Sequence, residues 1–165
     1  MTETDTQDPV ATIVDERTRA LLRNNLAGMS REAIGALVAD LTARMGVDPA
    51  LAPIDIIPDR DGALRPYINA RGASELAKRN QLSDDSLDWE IVRDSVVLVT
   101  CVQRDAEGRT TRDYGAVPFD PDRPPTLARA IKQAATSAHR RTTLRAVGIF
   151  LAEPVDWTSV DDAAA

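Results

Sequence analysis

The spacing of apolar positions divides the chain into a short series of helices and strands. After Ser30, the residues Ile34, Leu37, Val38, Leu41 and Met45 recur every three to four positions, which lines them along one stripe of a helix. Ser30 offers a capping hydroxyl, Glu32 an acid in the first turn, and Gly46 a stop. This is expected to be a packing helix, with a shorter one before it over residues 15–26. Residues 54–57 and 64–68 read as a hairpin around the turn pair Asp61-Gly62, confined to short or edge ladders by Pro58 and Pro66. Asn69 then caps a helix running to Asn80, with Leu76 as its apolar contact and Gly72 as a weak point inside it.

Three strands are expected next, over residues 87–93, 96–103 and 110–117. The β-branched middle run, VVLVTCVQ, is the expected central strand, and Glu107-Gly108 marks a turn. The proline-rich PFDPDRPP ends the third strand, because proline cannot continue a ladder. A long helix over 126–147 follows, stopped by Gly148, with a short strand over 149–151. The order after the N-terminal helices is β-β-α-β-β-β-α. It predicts an α+β fold in which helices pack on one face of an antiparallel sheet. Residues 1–14 are expected to be a mobile acidic tail, 15–151 a single domain with its core in 54–151, and 152–165 an acidic C-terminal tail. Trp89 and Trp157 are expected to pack.

Charge changes this picture only when it is divided along the chain. The net charge of −6 argues against a polyanionic partner. Yet residues 1–59 hold five bases against ten acids, residues 151–165 hold four acids and no base, and residues 60–150 hold fifteen bases against twelve acids. Phosphate binding depends on local positive charge. The expected long helix carries Arg129, Lys132, Arg140, Arg141 and Arg145 and no acid at all.

Several chemistries have no support. The chain has no GxxxxGK[ST] or GxGxxG loop, no HExxH, and one histidine, His139, in that acid-free helix next to Arg140 and Arg141. No catalytic role, metal or cofactor is assigned. Asp84-Asp85 and Asp161-Asp162 read as solvated loop acids. Cys101, the one cysteine, reads as a buried small hydrophobe. The start MTETDTQDP lacks the charged and apolar regions of a signal peptide, and no apolar run approaches the roughly 20 residues a membrane helix needs. A cytoplasmic protein with no membrane partner is expected.

In the long helix, steps of 100° per residue place Leu127, Ala130, Ile131, Ala134, Ala135 and Ala138 within roughly 140° of one another. Arg129, Lys132, Thr136, His139, Arg140 and Thr143 fall on the opposite side, while Arg141 and Arg145 project near the apolar arc. Arginine binds phosphate as a planar fork and threonine can donate to it. The helix is therefore a candidate nucleic-acid contact.

The segment AATSAHRRTTLRAVGIF, residues 134–150, resembles the end of the corresponding helix in phage and eukaryotic single-strand annealing proteins. The matched pattern is Ala134, Thr136, Ala138, Arg140-Arg141, Thr143-Leu144 and Gly148-Ile149. Upstream, the three strands with a turn at Gly115 resemble the β-hairpin region of the Rad fifty-two annealing domain, and RPYINARGASELAKR (65–79) is similar to that superfamily's strand-to-helix element. Thr142 stands where the eukaryotic proteins carry a second base. The resemblance spans about residues 54–151. It implies a ring or helical homo-oligomer that holds single-stranded DNA in a groove, for recombination and repair, without ATP.

By matching position it assigns Arg141 and Arg145 to the DNA backbone and Tyr67 to its border. Arg140, Lys132, Arg129, Arg65 and His139 complete the expected DNA-binding set. Tyr67 keeps two readings, a base or sugar stack and a core or interface residue. Replacing Arg140 and Arg141 together by alanine is expected to leave the fold intact. The alternative function is a protein-interaction adaptor whose basic helix docks an acidic partner.

Overall fold

Ser30 caps the first helix of the structure. Its hydroxyl accepts the Ala33 amide at 3.1 Å, and α1 runs Arg31–Met45 until Gly46 turns left-handed and closes it onto Thr42 and Ala43. The computed structural model describes residues 25–59 and 61–149. Most of the helix expected over 15–26 lies outside them. Asn25 and Leu26 are described, and they are not helical. They clamp the following hairpin instead: the Leu26 amide donates to the Leu64 carbonyl at 2.7 Å, and Asn25 Oδ1 accepts the Leu64 amide at 3.0 Å.

Strands β1 (Ile54–Pro58) and β2 (Leu64–Ile68) pair antiparallel with Ile54 opposite Ile68. Their connection covers residues 59–63, longer than a two-residue turn, and Gly62 donates back to Asp59 within it. Asn69 caps α2 (Ala70–Arg79), its side chain accepting the Gly72 amide. Gly72 has a packing reason to be there. A Cβ on it would stand 2.7 Å from the Pro53 carbonyl oxygen, so only glycine lets the helix lie against that connector. Val47, Ile54, Ile68, Leu76 and Leu144 form the buried cluster that joins these elements to the end of the long helix.

The second sheet has the order β3-β4-β5, all antiparallel, with β3 at Ser83–Val92, β4 at Val96–Arg104 and β5 at Thr110–Pro118. The α+β class and the central position of the VVLVTCVQ run are as expected. The strands do not form one sheet, because the proline-limited β1-β2 hairpin stays a separate two-stranded unit. β3 also begins four residues early. Asp84 and Asp85 are strand residues with a bulge beside them, not loop acids: Asp85 meets Arg104 at 2.8 Å and Asp84 accepts from Gln103 at 3.0 Å. Cross-strand partners therefore hold acids that disfavour a strand by propensity alone. Asp161-Asp162 and Trp157 lie outside the described residues.

Helix α3 (Pro124–Ala146) lies across β4 and β5. Proline is compatible with the first turn, so the helix starts two residues ahead of the expected 126. Ala130, Ala134 and Ala138 make a ridge at i, i+4 spacing that is buried against Val97, Val99 and Cys101. The approach is closest at Gly115, where a Cβ would collide with the Ala134 carbonyl oxygen. Gly115 is thus a mid-strand contact point rather than a turn. Ile149 is not in a strand; its amide closes the helix end onto Leu144 at 2.8 Å. Residues 150–151, the rest of that expected strand, lie outside the described residues, as do both expected tails.

Candidate nucleic-acid interface

The long helix sorts its bases into three environments. Its second half is sandwiched: Thr142 bonds to Cys101 on the sheet, while Leu144 joins the cluster around β1, β2 and α2. A residue facing away from the sheet there meets a second layer and not water. Arg140, placed on the solvent side by helical geometry alone, is buried for this reason, whereas Thr143, placed there too, is buried on the sheet side against Gln103 of β4. The Arg140 guanidinium lies 4.2 Å above the centre of the Tyr67 ring. Tyr67 is half-buried and carries this helix residue on one face of its ring. An Arg140→Ala, Arg141→Ala variant would empty that contact, so it is not fold-neutral.

Thr143 donates to Gln103 Oε1 at 3.0 Å, which turns the Gln103 amide nitrogen toward Asp84 at 3.0 Å and His139 Nε2 at 3.1 Å. His139 Nε2 also stands 3.3 Å from Asp84. This network stitches α3 to β3 and β4. The acids that α3 lacks in sequence are supplied by strands: Asp84 for His139, and Asp113 for two arginines.

Arg141 Nε is 3.6 Å from Asp113, and Arg145 Nη1 is 3.5 Å from the same carboxylate. Arg141 also reaches round the sheet edge to the Tyr114 ring at 5.4 Å. Both sit on the β5 flank of α3. Lys132 precedes Arg141 by nine residues, or half a turn modulo whole turns at 100° per residue, so it lies on the opposite flank. Arg65 is engaged in the first hairpin by Asp59 at 2.9 Å. The eight expected residues do not form one patch.

What remains exposed on the other flank is Arg129, Lys132 and Thr136, spaced three and four apart, with His139 half-buried at the end. Arg129 and Lys132 enter no ion pair among the described residues. Their flank faces α2 across a groove of about 290 Å³ lined by Ala70, Ala73, Ser74, Ala135, Thr136, His139 and Arg140. The alanines keep the two helices close. On α2, Arg71, Ser74 and Lys78 form a second exposed stripe at helical spacing; Lys78 lies 3.6 Å from Glu75, and Arg71 has no ion pair among the described residues. Arg71 and Ser74 do not stand out in the sequence. Their spacing is the available signal, but only the packing of α2 on α3 puts Ser74 in one groove with Thr136.

Neither the sequence models of known protein families nor the curated proteins gave a match to this chain. Among the described residues, no three metal-ligating side chains converge, and no helix is long and apolar enough to cross a membrane.

Proposed function

We propose that the chain binds single-stranded DNA along the α2–α3 groove and brings complementary strands together without hydrolysing nucleotide. The observation that carries this is the α2–α3 groove, with Thr136, His139 and Arg140 on one wall and Ala70, Ala73 and Ser74 on the other, together with exposed bases on the same two helices, Arg129 and Lys132 on α3 and Arg71 on α2. Uncompensated bases on the two helices that form a groove suit a flexible polyanion. The likeness of residues 134–150 to single-strand annealing proteins supports the same function.

The mechanism is physical. Cations neutralise phosphates and release counterions, which reduces repulsion between two strands held nearby, and pairing then proceeds downhill. Few bases per chain suffice if several copies act together, so the protein is proposed to be a homo-oligomer working in recombination and repair, in the cytoplasm. Relative to the sequence-based assignment, the phosphate-facing set moves to Arg71, Arg129 and Lys132, with Arg140 and Tyr67 as supports behind them.

Fluorescence polarisation of a labelled mixed-sequence oligonucleotide, titrated at low and moderate salt, tests this. Cofactor-free binding that weakens steeply with salt, and is abolished in an Arg71→Ala, Lys132→Ala variant, is the expected result. Absence of binding at low salt would reject it and leave the basic stripe to an acidic protein partner.

A further inference from the structure

His139 is the one histidine of the chain, and its surroundings fix what its Nε2 can do. Gln103 is 1% exposed, so its side-chain amide must find its partners inside the protein. The amide oxygen takes the Thr143 hydroxyl at 3.0 Å. The amide nitrogen has two hydrogens and two neighbours, Asp84 Oδ1 at 3.0 Å and His139 Nε2 at 3.1 Å. A carboxylate and a bare ring nitrogen both accept, so the network is complete only while Nε2 carries no hydrogen. The ring is then neutral, with its hydrogen on Nδ1.

A proton added at Nε2 reverses these roles. The new hydrogen meets the Gln103 amide as donor against donor, and it meets Asp84, 3.3 Å away, as a cation beside a carboxylate. A buried amide hydrogen left without an acceptor is costly. Turned over, the amide offers its oxygen to the ring and its hydrogens to Thr143, whose hydroxyl accepts as well as donates. Two complete arrangements therefore differ by one proton. The Asp84 side chain is 56% exposed and can follow the ring, and the His139 side chain is 32% exposed and can exchange with water. Water has access from the β3 side, because α3 covers β4 and β5 only. Further along β3, Trp89, expected to pack, is 54% exposed.

The ring also lines the α2–α3 groove, beside Thr136 and Arg140. The charged group that faces it from β3 is Asp84, and Asp85 is held by Arg104. β4 presents the neutral Gln103, with the Cys101 thiol bonded to Thr142 further along the strand. α2 presents Ser74, while its charges Arg71, Glu75 and Lys78 are outside the groove lining. On α3 the neighbouring charge is Arg140, drawn over the Tyr67 ring. We propose that His139 is a proton-operated switch. Its neutral ring is held by Gln103, its charged ring is held by Asp84, and the added charge strengthens oligonucleotide binding in the groove. The effect on binding rests on the function proposed above; the exchange within the network does not.

With one histidine in the chain, every imidazole signal in a nitrogen-labelled sample belongs to His139. Two-bond proton–nitrogen NMR of the full chain at about pH 8 should show a hydrogen on Nδ1 and a bare Nε2, the reverse of the tautomer that a free histidine side chain prefers. As the pH is lowered toward about 5, the ring should gain its second hydrogen and the Gln103 side-chain amide signals should move with the same midpoint. A hydrogen on Nε2 at the alkaline end, or amide signals that ignore the ring's titration, would overturn the switch. Fluorescence polarisation of a labelled mixed-sequence oligonucleotide at low salt tests the coupling. Wild type should bind about two- to fivefold more tightly at about pH 6 than at about pH 8, the scale of one partly exposed charge pair. His139→Gln, folded by circular dichroism, should bind alike at both. Equal wild-type affinities, or a pH dependence that survives His139→Gln, would overturn the coupling. Binding at neither pH, with the exchange seen by NMR, would reject the function proposed for the groove while upholding the exchange.

Discussion

The Arg140 guanidinium stacks on the Tyr67 ring at 4.2 Å, in the layer between α3 and the β1-β2 hairpin. A cation over an aromatic face contributes about 0.5–2 kcal/mol depending on how far it is desolvated. A double-mutant cycle of Arg140→Ala and Tyr67→Phe or Tyr67→Ala, read by urea denaturation, should give a coupling of that order for the alanine pair and a smaller change for phenylalanine, which keeps the ring. Additive effects would show that the stack contributes nothing.

Gly115 admits α3 to the sheet, and its substitution should be costly for a steric reason. An added Cβ would overlap the Ala134 carbonyl oxygen and stand 2.8 Å from the Ala138 amide nitrogen. Both are backbone atoms of a helix held along its length, so the strain cannot be relieved by a rotamer change. Gly115→Ala should destabilise the chain by about 1–3 kcal/mol, and Gly115→Val by more. A thermal midpoint unchanged in Gly115→Ala would contradict this packing.

Thr143 is buried and donates to the side-chain oxygen of buried Gln103. Thr143→Val keeps the shape and removes the donor, leaving an unsatisfied acceptor inside the protein. The expected loss of stability is about 1–3 kcal/mol, and pairing it with Gln103→Leu should recover part of it.

Burial pushes the Cys101 thiol above its ordinary range; a hydrogen bond from Thr142 opposes the shift and the Asp84 carboxylate adds to it. The folded pKa is raised, so the folded state holds the proton more tightly than the unfolded chain does. The corresponding stability is complete below the ordinary thiol range and declines as pH rises through that range toward the folded value. Urea midpoints should therefore fall on the alkaline side, with a shallower fall in Cys101→Ala. A thiol-reactive dye should label the native chain only as fast as it unfolds.

Arg129 and Lys132 face solvent without ion pairs among the described residues, whereas Arg141 and Arg145 share Asp113. Alanine at Arg129 and Lys132 should lower the salt slope of single-strand binding by about 0.7 for each phosphate that is no longer neutralised. The same substitutions should leave the unfolding midpoint nearly unchanged, since surface residues of this kind contribute little to stability. If Arg141→Ala and Arg145→Ala reduced the slope and these did not, the strand would follow the β5 flank instead.

Local chemistry determined much of the architecture. Ser30 and Asn69 cap their helices as read, since a cap depends on residues three positions apart. The β-branching of VVLVTCVQ specifies a central strand, and the alanine spacing of α3 specifies the face it buries. The extent of β3 was hidden, because Asp84 and Asp85 act as strand residues only when Gln103 and Arg104 meet them across the ladder.

The site was decided by tertiary packing. A helical projection separates one face from another but does not say how many layers cover the helix. The second layer buried Arg140, Gln103 of β4 took in Thr143, and strand residues Asp84 and Asp113 supplied acids that the helix itself lacks. Ser74 and Thr136 are 62 positions apart in sequence and line one groove only because α2 packs on α3 through alanines. Periodicity reports which residues prefer burial; which charges remain uncompensated depends on neighbours that are distant along the chain.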